Sequence, residues 1–110
     1  MATAAIAVPS NDDCSTAISL GILPAPAPCV GTGIQVGATV TATGTTVGAT
    51  PEAIYPYLSN CSINTASPPN DVWYSFVATS YQAVISISGS TMTNPVITVW
   101  AGTCLSLIHI

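Results

Sequence analysis

The stretch that decides the fold class is Asp71-Val72-Trp73-Tyr74-Ser75-Phe76-Val77. It is dominated by β-branched and aromatic residues, which is typical of a β-strand. Because the side chains of a strand alternate between its two faces, Val72, Tyr74 and Phe76 share one face, and the residues between them share the other. One apolar face and one mixed face together predict an antiparallel sheet that is packed on one side.

Further strands are predicted on both sides of this stretch. Residues 83–89 and 95–102 extend it into a three-stranded meander, which needs a second sheet to cover its apolar face. The first half of the chain must supply that sheet, and its predicted strands are Cys14–Leu20, Ile34–Thr41 and Thr45–Ala49. A turn is expected near Thr43-Gly44. No segment repeats apolar residues with a period of 3.6, so almost no helix is expected.

These strands predict an all-β fold, an antiparallel β-sandwich of the jelly-roll or immunoglobulin-like kind. A chain of 110 residues suits one such domain, which we place at residues 11–104. A short echo lies within it, since Val36-Gly37-Ala38-Thr39 returns as Val47-Gly48-Ala49-Thr50. Four residues are too few to predict a solenoid.

The charge content is unusual, because the chain has no Lys or Arg. Its four acids are Asp12, Asp13, Glu52 and Asp71. Charged residues make up 4 % of the sequence, against roughly 25 % in an ordinary globular protein. Nucleic-acid binding needs cations that neutralise phosphates, so it is excluded, and phosphate-binding enzymes and anionic membrane surfaces are disfavoured for the same reason.

The surface must therefore be solvated without cations. Serine and threonine number 12 and 15, so hydroxyl groups replace charge, and a net charge of −4 gives little protection against association. Apolar residues reach 49 %, yet no run approaches the roughly 18 apolar residues of a membrane span. We expect the surface to be covered by neighbouring subunits, by glycans or by both.

The four cysteines, Cys14, Cys29, Cys61 and Cys104, lack the short spacing of zinc or redox motifs. In a β-rich chain without lysine they indicate disulfides formed in an oxidising compartment. Three pairings are open. The preferred one joins Cys14 to Cys29 and Cys61 to Cys104, and unpaired buried thiols are the alternative.

Residues 1–10, called the arm below, are apolar and uncharged. One interpretation is the end of a secretion signal, because Ala5-Ile6-Ala7 fits a cleavage pattern, although no basic region precedes it. A second is an extended segment that adds a strand to a neighbouring subunit, and a third is a frayed terminus. On the second interpretation the subunit-interface residues are Ala2, Ala4, Ile6 and Val8.

The last six residues, 105–110, read Leu-Ser-Leu-Ile-His-Ile. They are the translation of CTG TCT CTT ATA CAC ATC, which looks like a transposase sequencing adapter. We expect that the natural chain continues differently after Cys104, so that His109 carries no functional weight. The alternative is a genuine final strand with alternating apolar residues.

Four segments together resemble a known module. They are Asn11-Asp12-Asp13-Cys14 with Ala17-Ile18, Thr45–Thr50, Asp71–Phe76 and Val99–Cys104. The chain is similar over most of this span to the bacterial pre-peptidase C-terminal-like β-sandwich domains of secreted and cell-surface proteins. The resemblance implies a jelly-roll-like, non-catalytic extracellular module that acts in adhesion, glycan contact or secretion. It also implies a further cysteine shortly after Gly102-Thr103-Cys104, where this chain has the adapter-like residues.

The side-chain inventory argues against an enzyme. The chain has one histidine and no Lys or Arg, so no nucleophilic triad is available. Glu52 and Asp71 are the only candidates for a glycosidase pair. No cofactor is expected. Asn11, Asp12 and Asp13 offer oxygens to Ca²⁺, but a turn that caps its own backbone is the preferred interpretation.

Contact with glycans is the remaining candidate chemistry. Trp73 and Trp100 would form a platform for sugars if both pointed outward, but core packing is the preferred interpretation. Tyr55 and Tyr57 lie in a long predicted loop and are better placed for an exposed contact. The candidate glycosylation sites are Asn60, in the sequon Asn60-Cys61-Ser62, and Thr43 and Thr45 in a threonine-rich run.

Two functions follow as expectations. The first is a non-catalytic extracellular structural protein, a subunit of a secreted filament or surface assembly in which copies pack as a helical polymer. The second is a glycan-binding or adhesive accessory module of a larger secreted protein. The exterior without cations, the apolar arm and the cysteines favour the first.

Overall fold

The computed structural model describes residues 5–25, 39–51, 70–79, 83–92 and 95–110. These segments form four strands in two separate two-stranded sheets. The strands are β1 (Ile18–Ile22), β2 (Tyr74–Val77), β3 (Trp100–Thr103) and β4 (Ser106–His109). The described residues contain no α-helix, only a three-residue 3₁₀-helix at Cys14–Thr16. The all-β prediction is therefore confirmed, whereas a sandwich is a finer arrangement than two such sheets define.

The first sheet pairs β1 with β2 in parallel, with Ile18 opposite Tyr74 and Ile22 opposite Val77. Backbone hydrogen bonds continue the ladder at both ends, from Ile18 N–H to the Trp73 carbonyl (3.1 Å) and from Leu23 N–H to the Val77 carbonyl (2.9 Å). The predicted antiparallel partner of β2, residues 83–89, is not a strand. That prediction is wrong, and β2 pairs instead with β1 from the N-terminal part of the chain.

The predicted alternation of β2 is confirmed within the strand. Tyr74 and Phe76 are half-buried, and Ser75 and Val77 are exposed. The Tyr74 ring lies over Gly44, since a Cβ added to Gly44 would lie 3.2 Å from the ring carbon Cζ and closer still to the hydroxyl. The same hydroxyl donates a hydrogen bond to the Thr43 carbonyl (3.3 Å). The Thr43-Gly44 backbone therefore packs against the Tyr74 ring, and the lack of a side chain at Gly44 makes room for that ring.

Left-handed glycine explains the irregularity of β1. Gly21 has φ +76°, and the register slips between Ser19 and Ile22. The Ser19 hydroxyl accepts a hydrogen bond from Gly21 N–H (3.1 Å), which replaces a ladder bond. The strand predicted at Cys14–Leu20 is thus shifted towards the C-terminus. Its first residues form the 3₁₀-helix because the Asp13 carbonyl accepts from Thr16 N–H (3.0 Å).

The second sheet is an antiparallel hairpin in which Thr103 lies opposite Ser106 and Gly102 opposite Leu107. Gly102 has φ +107°, and a Cβ there would collide with the Ser106 carbonyl oxygen, so the close approach of the two strands requires glycine. Only the end of the run predicted at 95–102 is a strand. The geometry of β4 does not test the origin of its coding sequence, so the adapter interpretation stays a prediction.

The strand predicted at Thr45–Ala49 is replaced by a turn. Ala49 N–H donates to the Thr46 carbonyl (3.1 Å), and Gly48 between them has φ +82°. The turn expected near Thr43-Gly44 therefore lies a few residues later. Of the strand predicted at Ile34–Thr41, residues 34–38 lie outside the described part of the chain, and Thr39–Thr41 are not in a strand.

A disulfide joins Cys14 to Cys104, with their α-carbons 5.7 Å apart. It links the 3₁₀-helix before the first sheet to the turn of the β3–β4 hairpin. The preferred pairing of Cys14 with Cys29 and Cys61 with Cys104 is therefore wrong, because the chain entry folds back beside the hairpin. Cys29 and Cys61 lie outside the described residues.

We expect loss of this disulfide to destabilise the domain strongly. The bond spans 90 residues, and the chain-entropy model gives about 4–5 kcal/mol for a loop of that length. The double variant Cys14→Ser/Cys104→Ser should lower the free energy of unfolding by this order, as measured by urea denaturation. Peptide mapping without reductant should recover a peptide that joins Cys14 to Cys104, and recovery of a Cys14–Cys29 peptide instead would contradict the fold.

Candidate functional site

The fully buried side chains of the described residues are mostly polar. Asn11 is 4 % exposed and Asp12 is 8 % exposed, whereas Ala49 is the only buried apolar residue in the described segments. A buried polar side chain needs hydrogen-bonding partners, because its desolvation is otherwise uncompensated. The partners of Asn11 and Asp12 therefore indicate what this part of the molecule is built to hold.

Asn11 holds the chain at Trp73. Its side-chain Nδ2 donates to the Trp73 carbonyl (2.9 Å), and Trp73 N–H donates back to the Asn11 carbonyl (2.9 Å). The Trp73 carbonyl also accepts from Ile18 N–H. This reciprocal pair fixes the start of the parallel sheet, since it aligns β2 with the segment that leads into β1.

Asp12 holds the chain at Thr50. Oδ1 accepts from Thr50 N–H (2.6 Å), and Oδ2 accepts from the Thr50 hydroxyl (2.7 Å). Both carboxylate oxygens are thus used by one residue that lies 38 positions away along the chain. A chain without Lys or Arg has no such side-chain cation for this carboxylate, so hydrogen bonds to an N–H and a hydroxyl stabilise it instead. We call Asn11, Asp12, Thr50 and Trp73 the polar junction.

The polar junction bears on the calcium prediction for Asn11, Asp12 and Asp13. The Asp12 oxygens and the Asn11 amide are engaged with Thr50 and Trp73, while the exposed Asp13 makes no side-chain cap at the 3₁₀-helix. In the described ranges no three His, Cys, Asp or Glu side chains are grouped so that they could hold a metal ion. The arrangement resembles the capping alternative, except that the capped backbone is distant in sequence.

The aromatic candidates are partly placed. Trp73 and Trp100 are both half-buried. The Trp73 indole nitrogen is buried and has no hydrogen-bond acceptor among the described residues, so the polar edge of this ring does not face solvent. Tyr55 and Tyr57 lie outside the described residues. The prediction of a sugar platform therefore stays a prediction.

Of the remaining candidate residues, some lie within the described residues and others do not. Thr43 and Thr45 are exposed, and the Thr45 hydroxyl accepts from Val47 N–H (3.1 Å). Glu52 and Asn60 lie outside the described residues, and Asp71 is half-buried. The pair of Glu52 and Asp71 and glycosylation at Asn60 therefore stay predictions.

The arm is described from residue 5, so Ala2 and Ala4 lie outside the described part. Ile6 is 70 % exposed and Val8 is 58 % exposed. The backbone of the arm nevertheless touches the rest of the chain, because a Cβ added to Gly48 would lie 2.7 Å from the Ala7 carbonyl oxygen. Sequence reasoning missed both Gly48 and Thr50. The repeated Val-Gly-Ala-Thr unit was the one signal that marked them.

Many large apolar side chains are exposed on the described segments. The most exposed large side chains include Ile22 and Val84 at 72 %, Ile108 at 66 % and Leu105 at 100 %. The described segments include no helix with the length and apolarity that a membrane crossing requires. A disulfide without such a helix is compatible with an extracellular location.

No protein-family model, curated protein or solved structure matches this chain. The resemblance to pre-peptidase C-terminal-like domains therefore remains a prediction. The function has to be argued from the residues themselves.

We expect the polar junction to contribute more to stability than any exposed charge. Asp12→Ala removes both hydrogen bonds to Thr50 and should lower the free energy of unfolding by about 2–3 kcal/mol. Thr50→Val removes only the hydroxyl donor and should cost about half as much. Urea denaturation followed by tryptophan fluorescence measures both changes.

Asp13→Ala is the matched control for this prediction. It changes the net charge by the same amount as Asp12→Ala but removes no side-chain cap. Its effect should stay within about 0.5 kcal/mol, as for other exposed sites. Equal effects of the two variants would show that charge, and not the polar junction, accounts for the loss.

Proposed function

We propose that this protein is a non-catalytic structural subunit of an extracellular assembly in which copies of the chain cover one another. The observation that carries the proposal is the exposure of large apolar side chains over β1, β2, the segment at 83–92 and the second sheet, in a chain with no Lys or Arg. Soluble monomers rarely expose large contiguous apolar patches.

The free energies of burial and association favour a contact made by many side chains over a contact made by one. Burying one side chain of the size of Ile or Val contributes about 1.5–3 kcal/mol, whereas association costs roughly 4–15 kcal/mol in lost translational and rotational freedom. Several such side chains must therefore be covered at each contact. The described segments offer enough of them, and few charges oppose their approach.

The unpaired edges of the strands determine where such contacts can form. The described residues pair β1 and β2 only with each other, so each strand has an outer edge with no partner strand in this part of the chain. An exposed apolar edge is a template for strand addition. Ile22 and Val77 lie opposite each other at one end of this sheet, at 72 % and 58 % exposure.

Contacts between different patches of a surface produce a helical filament when the rotation between successive subunits does not close into a ring. The assembly that we propose uses contacts of this kind. The disulfide between Cys14 and Cys104 supports an extracellular location, because disulfides persist outside the cell whereas the cytosol keeps thiols reduced.

The test is assembly of the purified, oxidised full chain, observed by negative-stain microscopy and sedimentation. We expect filaments with a regular repeat, and we expect Ile22→Lys to raise the critical concentration at least tenfold, because a charge on an apolar edge opposes strand addition. A protein that stays monomeric at high concentration would contradict the proposal. Polysaccharide binding by such a monomer would favour an adhesive module.

Ser15→Lys is the control for charge. Ser15 is exposed in the 3₁₀-helix and lies outside the strands. It adds the same charge as Ile22→Lys, and filaments should form as in the unmodified chain. Equal inhibition by the two variants would assign the effect to net charge and not to the β1 edge.

A further inference from the structure

The arm rests on a glycine of its own chain. A Cβ added to Gly48 would lie 2.7 Å from the Ala7 carbonyl oxygen and 2.9 Å from the Ile6 Cγ2 atom. Real Cβ atoms essentially never come closer than 3.0 Å to such atoms. The arm can therefore lie this close to residue 48 only because residue 48 is a glycine. We call the Thr46–Ala49 turn at Gly48 the arm seat.

The left-handed backbone alone does not account for this glycine. Gly21 and Gly89 also have positive φ values, +76° and +63°, and nothing lies within 4 Å of a Cβ added to either. Among these left-handed positions Gly48 differs because the arm passes directly over it. Its lack of a side chain is thus linked to a contact with the arm.

The arm also has a defined base. Asn11 and Asp12 are fixed by the polar junction, and Asp12 N–H donates to the Pro9 carbonyl (3.2 Å). On the other side of Pro9, Ile6 and Val8 remain mostly exposed although the backbone beside them touches the arm seat. At Pro9 the chain therefore changes from a segment that is anchored by hydrogen bonds to a segment whose apolar side chains are mostly exposed.

We propose that the arm seat accepts Ile6 and Ala7 from a second copy of the chain, so that exchanged arms link successive subunits. Every copy carries the same arm and the same seat, so the contact at Gly48 is the same within one chain and between two. Closure within one chain leaves Ile6 and Val8 largely uncovered, whereas a neighbour brings additional surface to them. The inference rests on the proposed assembly for the presence of that neighbour.

The geometry limits how the neighbour sits. Ala7 is two residues from Pro9, and two extended residues span at most about 7 Å. The seat of the second copy must therefore lie close to the base of the first copy's arm. Exchange in one direction produces an open chain of subunits where the rotation between copies does not close, and reciprocal exchange between two copies produces a closed dimer.

Two variants test the two partners of this contact, the arm and the arm seat, separately. Deletion of residues 1–9 gives a chain with an open seat and no arm. Gly48→Asn gives a chain with an arm and a blocked seat, because asparagine tolerates the left-handed conformation but carries a Cβ. We expect each variant alone to sediment as a monomer and an equimolar mixture to form a 1:1 dimer that grows no further.

Gly89→Asn is the matched control, because it places the same side chain at another left-handed position (φ +63°), outside the strands, where the surroundings are open. This full-length variant should assemble like the unmodified chain. Assembly of Gly48→Asn to the same extent as Gly89→Asn would overturn the inference. So would a mixture of the two complementary variants that stays monomeric while circular dichroism shows both to be folded.

A peptide of residues 1–10 decides the case in which Gly48→Asn does not fold. The labelled peptide should bind the chain that lacks residues 1–9, as measured by fluorescence anisotropy, and absence of binding would overturn the inference. The outcomes also separate the two proposals. Filaments that persist after deletion of residues 1–9 overturn only arm exchange, whereas a 1:1 dimer from a protein that never forms filaments overturns only the filament.

Discussion

The described structure depends on a buried carboxylate in a chain that has no Lys or Arg. Asp12 is removed from solvent, so its charge must be stabilised by donors within the chain, and Thr50 supplies an N–H and a hydroxyl. This requirement brings residue 50 to residue 12. The neighbouring Asn11 brings Trp73 to the same place through two hydrogen bonds. The parallel pairing of β1 with β2 follows, because β1 begins a few residues after this anchor.

In the described segments the fully buried side chains are mostly polar, and many large apolar side chains are exposed. In the described segments Ala49 alone is a buried apolar residue, while isoleucine side chains are exposed on both sheets, Val77 is exposed on the first sheet and Leu105 in the turn of the hairpin. The Cys14–Cys104 bond supplements the few apolar contacts by restricting the unfolded chain. The same distribution that limits the stability of a single chain provides the surface for association, so the folding and the proposed assembly have a common physical origin.

Local features of this fold could be predicted from the sequence, whereas contacts between distant residues could not. The alternation of Tyr74, Ser75, Phe76 and Val77 and the lack of helical periodicity are properties of neighbouring residues, and both agree with the described structure. The link of Asp12 to Thr50 and of Asn11 to Trp73 spans 38 and 62 positions, and no local pattern encodes it. The pairing of β2 was mispredicted for this reason. Residues 83–89 alternate well, but β2 pairs with β1, and no local pattern shows the anchor at Asn11 that aligns them.

The repeated unit Val47-Gly48-Ala49-Thr50 shows how local sequence and distant contacts meet. Gly48 carries the left-handed turn and the contact with Ala7, Ala49 is buried, and Thr50 binds Asp12. The arm seat and the polar junction are thus two residues apart in a single turn. Thr50 binds Asp12, and Asp12 N–H donates to the Pro9 carbonyl. The base of the arm is therefore fixed to the same turn that contacts Ile6 and Ala7. Release of Ile6 and Ala7 from Gly48 therefore breaks none of the hydrogen bonds of the polar junction. An arm that can leave its seat without loosening the fold meets the main structural requirement for exchange between subunits.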